Sequence, residues 1–205
     1  MLILAGQGNP GAKYAGNRHN IGFMAIDVIS ERWRFGPERS KFQSLMREGA
    51  VPTPDGDVRV LLLKPQTFYN ETGRAIGEAM RFHKLKPADV VVFYDEIDMS
   101  PGRFRMKTGG GAAGNNGVRS ITAHITADFR RARIGVGHPG DKDLVMHYVL
   151  ADLAKADREW VIPLFGALAD TLPLLAAGED EKYQTEVLRL APSPKHDPRK
   201  LARED

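Results

Sequence analysis

The chain of 205 residues has six histidines and no cysteine, and it lacks a Gly-x-Ser-x-Gly elbow. Thiol nucleophiles, disulfides, Cys-ligated zinc and iron–sulfur clusters are therefore excluded, and a serine hydrolase of the elbow type is not indicated. No two histidines stand at i, i+4 with a glutamate between them, so a zinc hydrolase of that type is not indicated either. What remains is a histidine acting as general base on water, oriented by an acid. His19 and Asp95 are the candidates, with the amides of Asn9, Asn70 and Asn116 to hold substrate or stabilise an oxyanion. Such a set suffices for an activated ester and is weak for a peptide amide. Taken singly, each residue also has a plain structural reading. Asn9 can serve a turn, Asn70 and Asn116 can cap helices, Asp95 can cap a loop, and His19 can be a half-buried surface residue.

These residues matter together because of the elements that carry them. Residues 2–5 read as a buried strand ending in a glycine turn, and 21–33 as an amphipathic helix. Residues 58–63 and 90–94 are continuous apolar, β-branched runs, the pattern of strands buried on both faces. Between them, 72–82 has helical periodicity; 103–107 alternates as a strand, 116–125 is helical and 133–136 is again a strand. Residues 154–177 read as one long helix interrupted near Pro163 and Pro173. The expected class is α/β, with a single twisted, mixed but mostly parallel sheet flanked by helices on both faces. Asn9, Asn70 and Asp95 then fall after strands and Asn116 opens a helix, so all four can share the crevice at the carboxyl ends of the strands. One domain is expected over 1–190, followed by a charged, proline-rich and disordered tail over 191–205.

Two glycine motifs compete for attention. Gly6-x-Gly8-x-x-Gly11 follows a strand like a dinucleotide fingerprint, but Pro10 and the loop-like Lys13–Asn17 stretch stand where that fingerprint needs a helix. Gly109-x-Gly111-x-x-Gly114 does precede a helix, whose first amides can receive a phosphate or carbonyl oxygen. No nicotinamide, flavin or other cofactor is expected.

The formal net charge of +3 is unevenly spread. Residues 103–133 hold Arg103, Arg105, Lys107, Arg119, Arg130, Arg131 and Arg133 against Asp128 alone, whereas 134–205 carry nine basic and thirteen acidic residues. A basic block beside a glycine-rich loop points to an anionic partner, phosphate or nucleic acid. No run approaches the roughly 20 apolar residues of a membrane span, and the N-terminus has no secretion-signal pattern, so a cytoplasmic protein without a membrane partner is expected.

At these residues the chain resembles the bacterial peptidyl-tRNA hydrolase family. The resemblance is carried by Gly6-Gln7-Gly8-Asn9-Pro10-Gly11, Tyr14, and Arg18-His19-Asn20-x-Gly22-Phe23. It continues through Lys64-Pro65-Gln66-Thr67-Phe68-Tyr69-Asn70-Glu71-Thr72-Gly73 and Asp95-Glu96-Ile97-Asp98-Met99-Ser100-Pro101-Gly102. Lys107 with Gly109–Gly111, Asn116-Gly117 and Arg133-Ile134-Gly135-Val136-Gly137-His138-Pro139 complete it. The resemblance implies hydrolysis of the ester between a nascent peptide and the 3′ end of tRNA, by a monomer without metal and without an obligate protein partner. It implies that His19 is the base, Asp95 the acid that orients it, and Asn9 the amide beside water and oxyanion. It further implies that Asn70 and Asn116 hold the peptide and the terminal adenosine, and that Lys107 and Arg133 grip the 5′-phosphate of the acceptor stem. Tyr14 and Tyr69 fall in the same substrate-binding motifs. A family helix over the cleft corresponds to about 144–150.

The chain departs from the family pattern at several positions. Tyr69 stands where many members have Met, Ala113 and Asn115 replace a Gly and a His, and Gln7 and Asn17 replace Leu and Thr. Two rival readings are a non-catalytic RNA-binding module, which would leave His19 and the asparagines without a role, and a peptidase of similar architecture, which would leave the basic block unexplained.

Overall fold

The computed structural model describes residues 1–195. In chain order the elements are β1 (Leu2–Gly6), α1 (Ile21–Arg32), β2 (Arg39–Lys41), β3 (Ser44–Thr53), β4 (Gly56–Pro65), α2 (Thr72–Phe82) and β5 (Val90–Glu96). Then follow β6 (Phe104–Thr108), α3 (Asn116–Ile125), β7 (Arg130–Gly135), α4 (Val145–Val149), α5 (Arg158–Asp170), α6 (Leu172–Ala176) and α7 (Asp180–Leu190). Short 3₁₀ turns at Ala12–Tyr14, Arg18–Asn20 and Tyr69–Glu71 connect them near the carboxyl ends of β1 and β4.

The seven strands form one sheet in the order β2-β3-β4-β1-β5-β7-β6. The four inner strands β4, β1, β5 and β7 run parallel, and β2, β3 and β6 pair antiparallel at the two margins. This is the α/β class expected from the sequence. Alternation along β1 sends Leu2 and Leu4 to one face and Ile3 and Ala5 to the other. The first face is covered by Ile21, Ala25 and Ile29 of α1 and by Trp160, Leu164 and Leu168 of α5. The second is covered by Ile76 and Ala79 of α2 and Val118 and Ile121 of α3. Because β1 lies between β4 and β5 with connections on opposite faces, a crevice opens at the carboxyl ends of these strands.

Helix α1 begins in contact with the sheet backbone. A Cβ on Gly22 would lie 2.3 Å from the Phe93 carbonyl oxygen and 2.5 Å from the Gln7 nitrogen. One on Gly6 would meet the Gly22 oxygen at 2.4 Å. Two glycines thus bring the turn carrying His19 down onto β1 and β5.

The sequence reading missed the β2–β3 ribbon. β3 contains Gly49 and Pro52 and shows little alternation, because its partner surface is supplied from afar; the Phe35 ring occupies the space of a Gly49 side chain. The expected break at Pro163 is not there either. α5 runs through it, losing one backbone bond while Trp160, Leu164 and Leu168 stay buried, and the helix ends at Thr171 just before Pro173. Of the expected tail, Ala191 is buried and the Ser193 hydroxyl donates to the Gly102 carbonyl at 3.2 Å, so its first residues lie against the domain. The remainder of that tail, 196–205, falls outside the described residues. No helix among the described residues is long and apolar enough to cross a membrane.

Two outcomes follow for stability. Gly22→Ala is expected to cost about 2–3 kcal/mol in urea unfolding, since backbone rather than a flexible side chain must move. Burial pushes the phenol of Tyr94 up to about 12 and that of Tyr183 well above its ordinary value. The unfolded chain releases these protons near pH 10, so the stability they contribute is full below that pH and falls as pH rises above it. Urea midpoints should therefore drop as pH rises from about 10 to about 12.

Candidate active site

His19 sits on the 3₁₀ turn Arg18–Asn20, and Asp95 sits in the last turn of the ladder of β5. The His19 Nδ1 lies 2.8 Å from Asp95 Oδ2, and the two side chains are 17% and 2% exposed. A carboxylate only accepts, so the proton resides on Nδ1 and Nε2 is left as the basic nitrogen. The other carboxylate oxygen, Oδ1, accepts the Tyr69 hydroxyl at 2.8 Å. The Tyr69 ring is stacked on the imidazole with centroids 3.5 Å apart and planes at 12°. Burial, and then the adjacent Asp95 charge, hold this phenol well above its usual range, so it remains a donor.

Asn9 follows β1, and its Oδ1 accepts the Tyr69 backbone N–H at 2.9 Å. That bond assigns the amide: the oxygen end is fixed inward and the NH₂ end is left to donate elsewhere. The Asn9 main chain is in turn gripped by Asn20, whose Oδ1 accepts from Asn9 N and whose Nδ2 donates to Asn9 O, each at 2.9 Å. Asn20 was not singled out as a site residue from the sequence, although it stands in the same string as His19.

The Arg18 guanidinium anchors the histidine turn from behind. It is buried, donates to the carbonyls of Ala151 and Asp152 at 3.3 and 2.9 Å, pairs with Asp157 at 3.4 Å and lies 4.4 Å over the Tyr148 ring. Asn17 adds a 2.8 Å bond to Asp152. The histidine turn is thereby joined to the segment directly after α4.

The cleft in front of His19 has a volume of about 450 Å³ and is lined by Asp95, Glu96, Asn115 and Asn116 on one side and by His138, Lys142, Val145, Met146 and Val149 on the other. It therefore runs between the start of α3 and the helix α4 that covers it. Asn116 is exposed here, its Oδ1 accepting from Arg119 at 3.2 Å, while Asn115 rather than Asn116 caps α3 through a 3.0 Å bond from Val118 N. Asn70 is exposed on the turn beside Tyr69, so it is not a helix cap. Tyr14 is half-buried on its own turn under the Lys13 ammonium, 4.7 Å from the ring centroid, and is not among the residues lining this cleft.

The basic block divides by strand alternation. Arg105 opposes Arg133 and Lys107 opposes Arg131 in the β6–β7 pair, which puts these four on one face. Arg131 is fully buried and donates to the carbonyls of Gly111 and Gly110 at 2.7 and 2.8 Å, so it shapes the glycine loop. Arg130, on the other face, is buried against Asp180 and the Leu175 carbonyl. Lys107 and Arg105 are exposed. Arg133 pairs with Glu96 at 3.6 Å and lines an adjoining cavity with Arg103 and Arg105. Partial burial raises the Glu96 carboxyl above its ordinary value, against the opposing pull of its bond from Asp98 N and of Arg133.

The chain matches the family described as peptidyl-tRNA hydrolase over residues 3–195. It is 67% identical over 202 residues to the peptidyl-tRNA hydrolase of Phenylobacterium zucineum, covering 98% of this chain and 97% of the relative. It is 63% identical over 205 residues to that of Caulobacter vibrioides, covering 100% of both. The crystal structure of the Acinetobacter baumannii peptidyl-tRNA hydrolase superposes with a TM-score of 0.86 at 31% identity, covering 94% of this chain and 97% of that one. The match extends over the strands and turns that assemble His19, Asp95 and Asn9, and this chain belongs to the peptidyl-tRNA hydrolase family.

Proposed function

We propose that this protein hydrolyses the ester between a peptide, or an N-blocked aminoacyl group, and the 3′ end of tRNA, with water activated by His19 and no covalent intermediate. The observation that carries the mechanism is the His19–Asp95 contact at 2.8 Å, which leaves Nε2 as the base at the edge of the cleft. Nε2 takes a proton from water as the water oxygen bonds to the ester carbonyl carbon. Asp95 stabilises the imidazolium that forms. The Asn9 NH₂, held by the Tyr69 backbone, is the donor for the developing oxyanion. Collapse breaks the carbon–oxygen bond to the ribose, and the imidazolium returns the proton to the leaving oxygen. The products are a free carboxylic acid and tRNA with its hydroxyl restored.

Asn116, exposed in the cleft lining, and Asn70, exposed on the turn beside Tyr69, are the proposed contacts to the peptide and terminal nucleotide, and Tyr14 is proposed as a further substrate contact. The exposed Lys107 and the half-buried Arg133, with Arg105 directly opposite Arg133 in the β6–β7 pair, are proposed to meet the phosphates of the acceptor stem. The fold is taken to act as a single domain over 1–190, as a monomer in the cytoplasm, and the proposal invokes no metal or cofactor.

Purified protein should release the acyl group rapidly from N-acetyl-aminoacyl-tRNA, far more slowly from free aminoacyl-tRNA, and equally with EDTA. His19→Ala should lower kcat by about 100- to 10,000-fold with tRNA affinity nearly intact. Affinity lost in step with activity would reject His19 as the base. Lys107→Ala and Arg105→Ala should raise KM with kcat unchanged, and each should make the dependence of log KM on log salt shallower by about 1. A KM insensitive to salt would reject the phosphate contacts.

A further inference from the structure

Every polar atom of Tyr69 is already engaged within the protein. Its backbone N–H donates to Asn9, its hydroxyl proton goes to Asp95 Oδ1, and its hydroxyl oxygen accepts from Asn115 Nδ2 at 3.0 Å. The residue is 5% exposed. One ring face lies on His19, and the start of α3 also presses on the ring, since a Cβ on Gly117 would lie 2.5 Å from Tyr69 Cε1. A side chain so enclosed has no free group with which to read a substrate.

The direction of the chain of bonds is fixed at its far end. Asn115 Oδ1 accepts the Val118 main-chain N–H at 3.0 Å, which can only donate. The other end of that amide, Nδ2, must therefore be the donor to the Tyr69 oxygen. With that lone pair occupied, the Tyr69 proton points to Asp95 Oδ1. Oδ2 then remains for His19, whose Nδ1 must carry the proton. A main-chain amide at the N-terminus of α3 is thus linked through three side chains to the imidazole, and the carboxylate oxygen that this chain leaves free is the one to which His19 donates. Burial and the Asp95 charge keep the phenol neutral, which the arrangement needs.

We propose that Tyr69 is a positioning residue for the His19–Asp95 pair, and that Asn115 acts on the reaction only through the Tyr69 hydroxyl. The stacked ring fixes the imidazole plane, and the hydroxyl fixes the rotation of the carboxylate and with it the His19 tautomer. Both residues are positions where this chain departs from the family pattern quoted above, and here they touch each other. The charged and titratable groups facing His19 are Asp95 and Glu96 from β5, Tyr69, and His138 and Lys142 across the cleft. Of these, Asp95 and Tyr69 are the two in direct contact with the ring.

The inference rests on His19 being the base, so the test reads the imidazole directly as well as turnover. Tyr69→Phe, Asn115→Ala and the double variant are compared with N-acetyl-aminoacyl-tRNA as substrate, and the His19 ring nitrogens are followed by ¹⁵N NMR. Tyr69→Phe should lower kcat by roughly tenfold with KM within about twofold, as expected when a hydrogen bond to a buried charge is lost away from substrate. Asn115→Ala should lower kcat less, and the double variant should be no worse than Tyr69→Phe alone. The Nδ1–H signature of His19 should be sharp in the natural protein and averaged between tautomers in Tyr69→Phe. A rise in KM at constant kcat, additive losses, or an unchanged tautomer would each overturn the proposal. Should Tyr69→Phe not fold, the tautomer in Asn115→Ala, which keeps the ring, decides it. Loss of the base assignment would show separately, as activity retained in His19→Ala.

Discussion

A carboxylate that is 2% exposed must find donors for both oxygens, because a buried charge without partners is costly. Asp95 finds them in His19 and Tyr69, which reach it from the turns that follow β1 and β4. The histidine arrives because Gly6 and Gly22 let α1 start directly on the sheet backbone. The tyrosine arrives at the end of β4, on a turn stitched to Asn9 at the end of β1. Three adjacent parallel strands, β4, β1 and β5, therefore close around one buried charge. The remainder of the site is arranged to keep that closure rigid.

Rigidity on the near side comes from asparagines used as structural clips. Asn20 pairs with both main-chain groups of Asn9, and Asn115 ties Tyr69 to the first turn of α3. On the far side the buried Arg18 donates to main-chain carbonyls and pairs with Asp157, which holds the histidine turn to the segment after α4. Helix α4, which lines the cleft, is thus connected to the histidine turn by a guanidinium next in sequence to His19. The apolar residues it presents, Val145, Met146 and Val149, form the wall opposite the amides.

The basic segment shows how one run of charge can be spent on different tasks. Arg130 and Arg131 are adjacent, so they point to opposite faces of β7, and both are buried. One closes on Asp180 near α6 and α7; the other holds the two glycine carbonyls that precede α3. Arg103, Arg105, Lys107 and Arg119 keep charge at the surface, and Arg133 is half-buried against Glu96. A count of charge along the sequence locates the region but overstates the number of cations available to a polyanion.

Much of this was legible in the sequence. The buried runs of β4 and β5 and the periodicity of α2 and α3 carried the class of fold, because those signals are local and follow from side-chain period; Asn9, Asn70 and Asp95 after strands, with Asn116 opening α3, pointed to the crevice now proposed as the site. The hidden parts were those whose reason lies far away in the chain. β3 is a strand because of its neighbours, with Phe35 standing in for a side chain at Gly49. Asn115 takes the cap that the plain structural reading offered to Asn116, and Tyr69 turns its hydroxyl inward to Asp95 although it falls in a substrate-binding motif of the family it resembles. Residue type and spacing determine which groups can reach a crevice. Which end of an amide donates and where a phenol proton points are decided only when a distant main-chain donor fixes one end of the hydrogen-bonded chain.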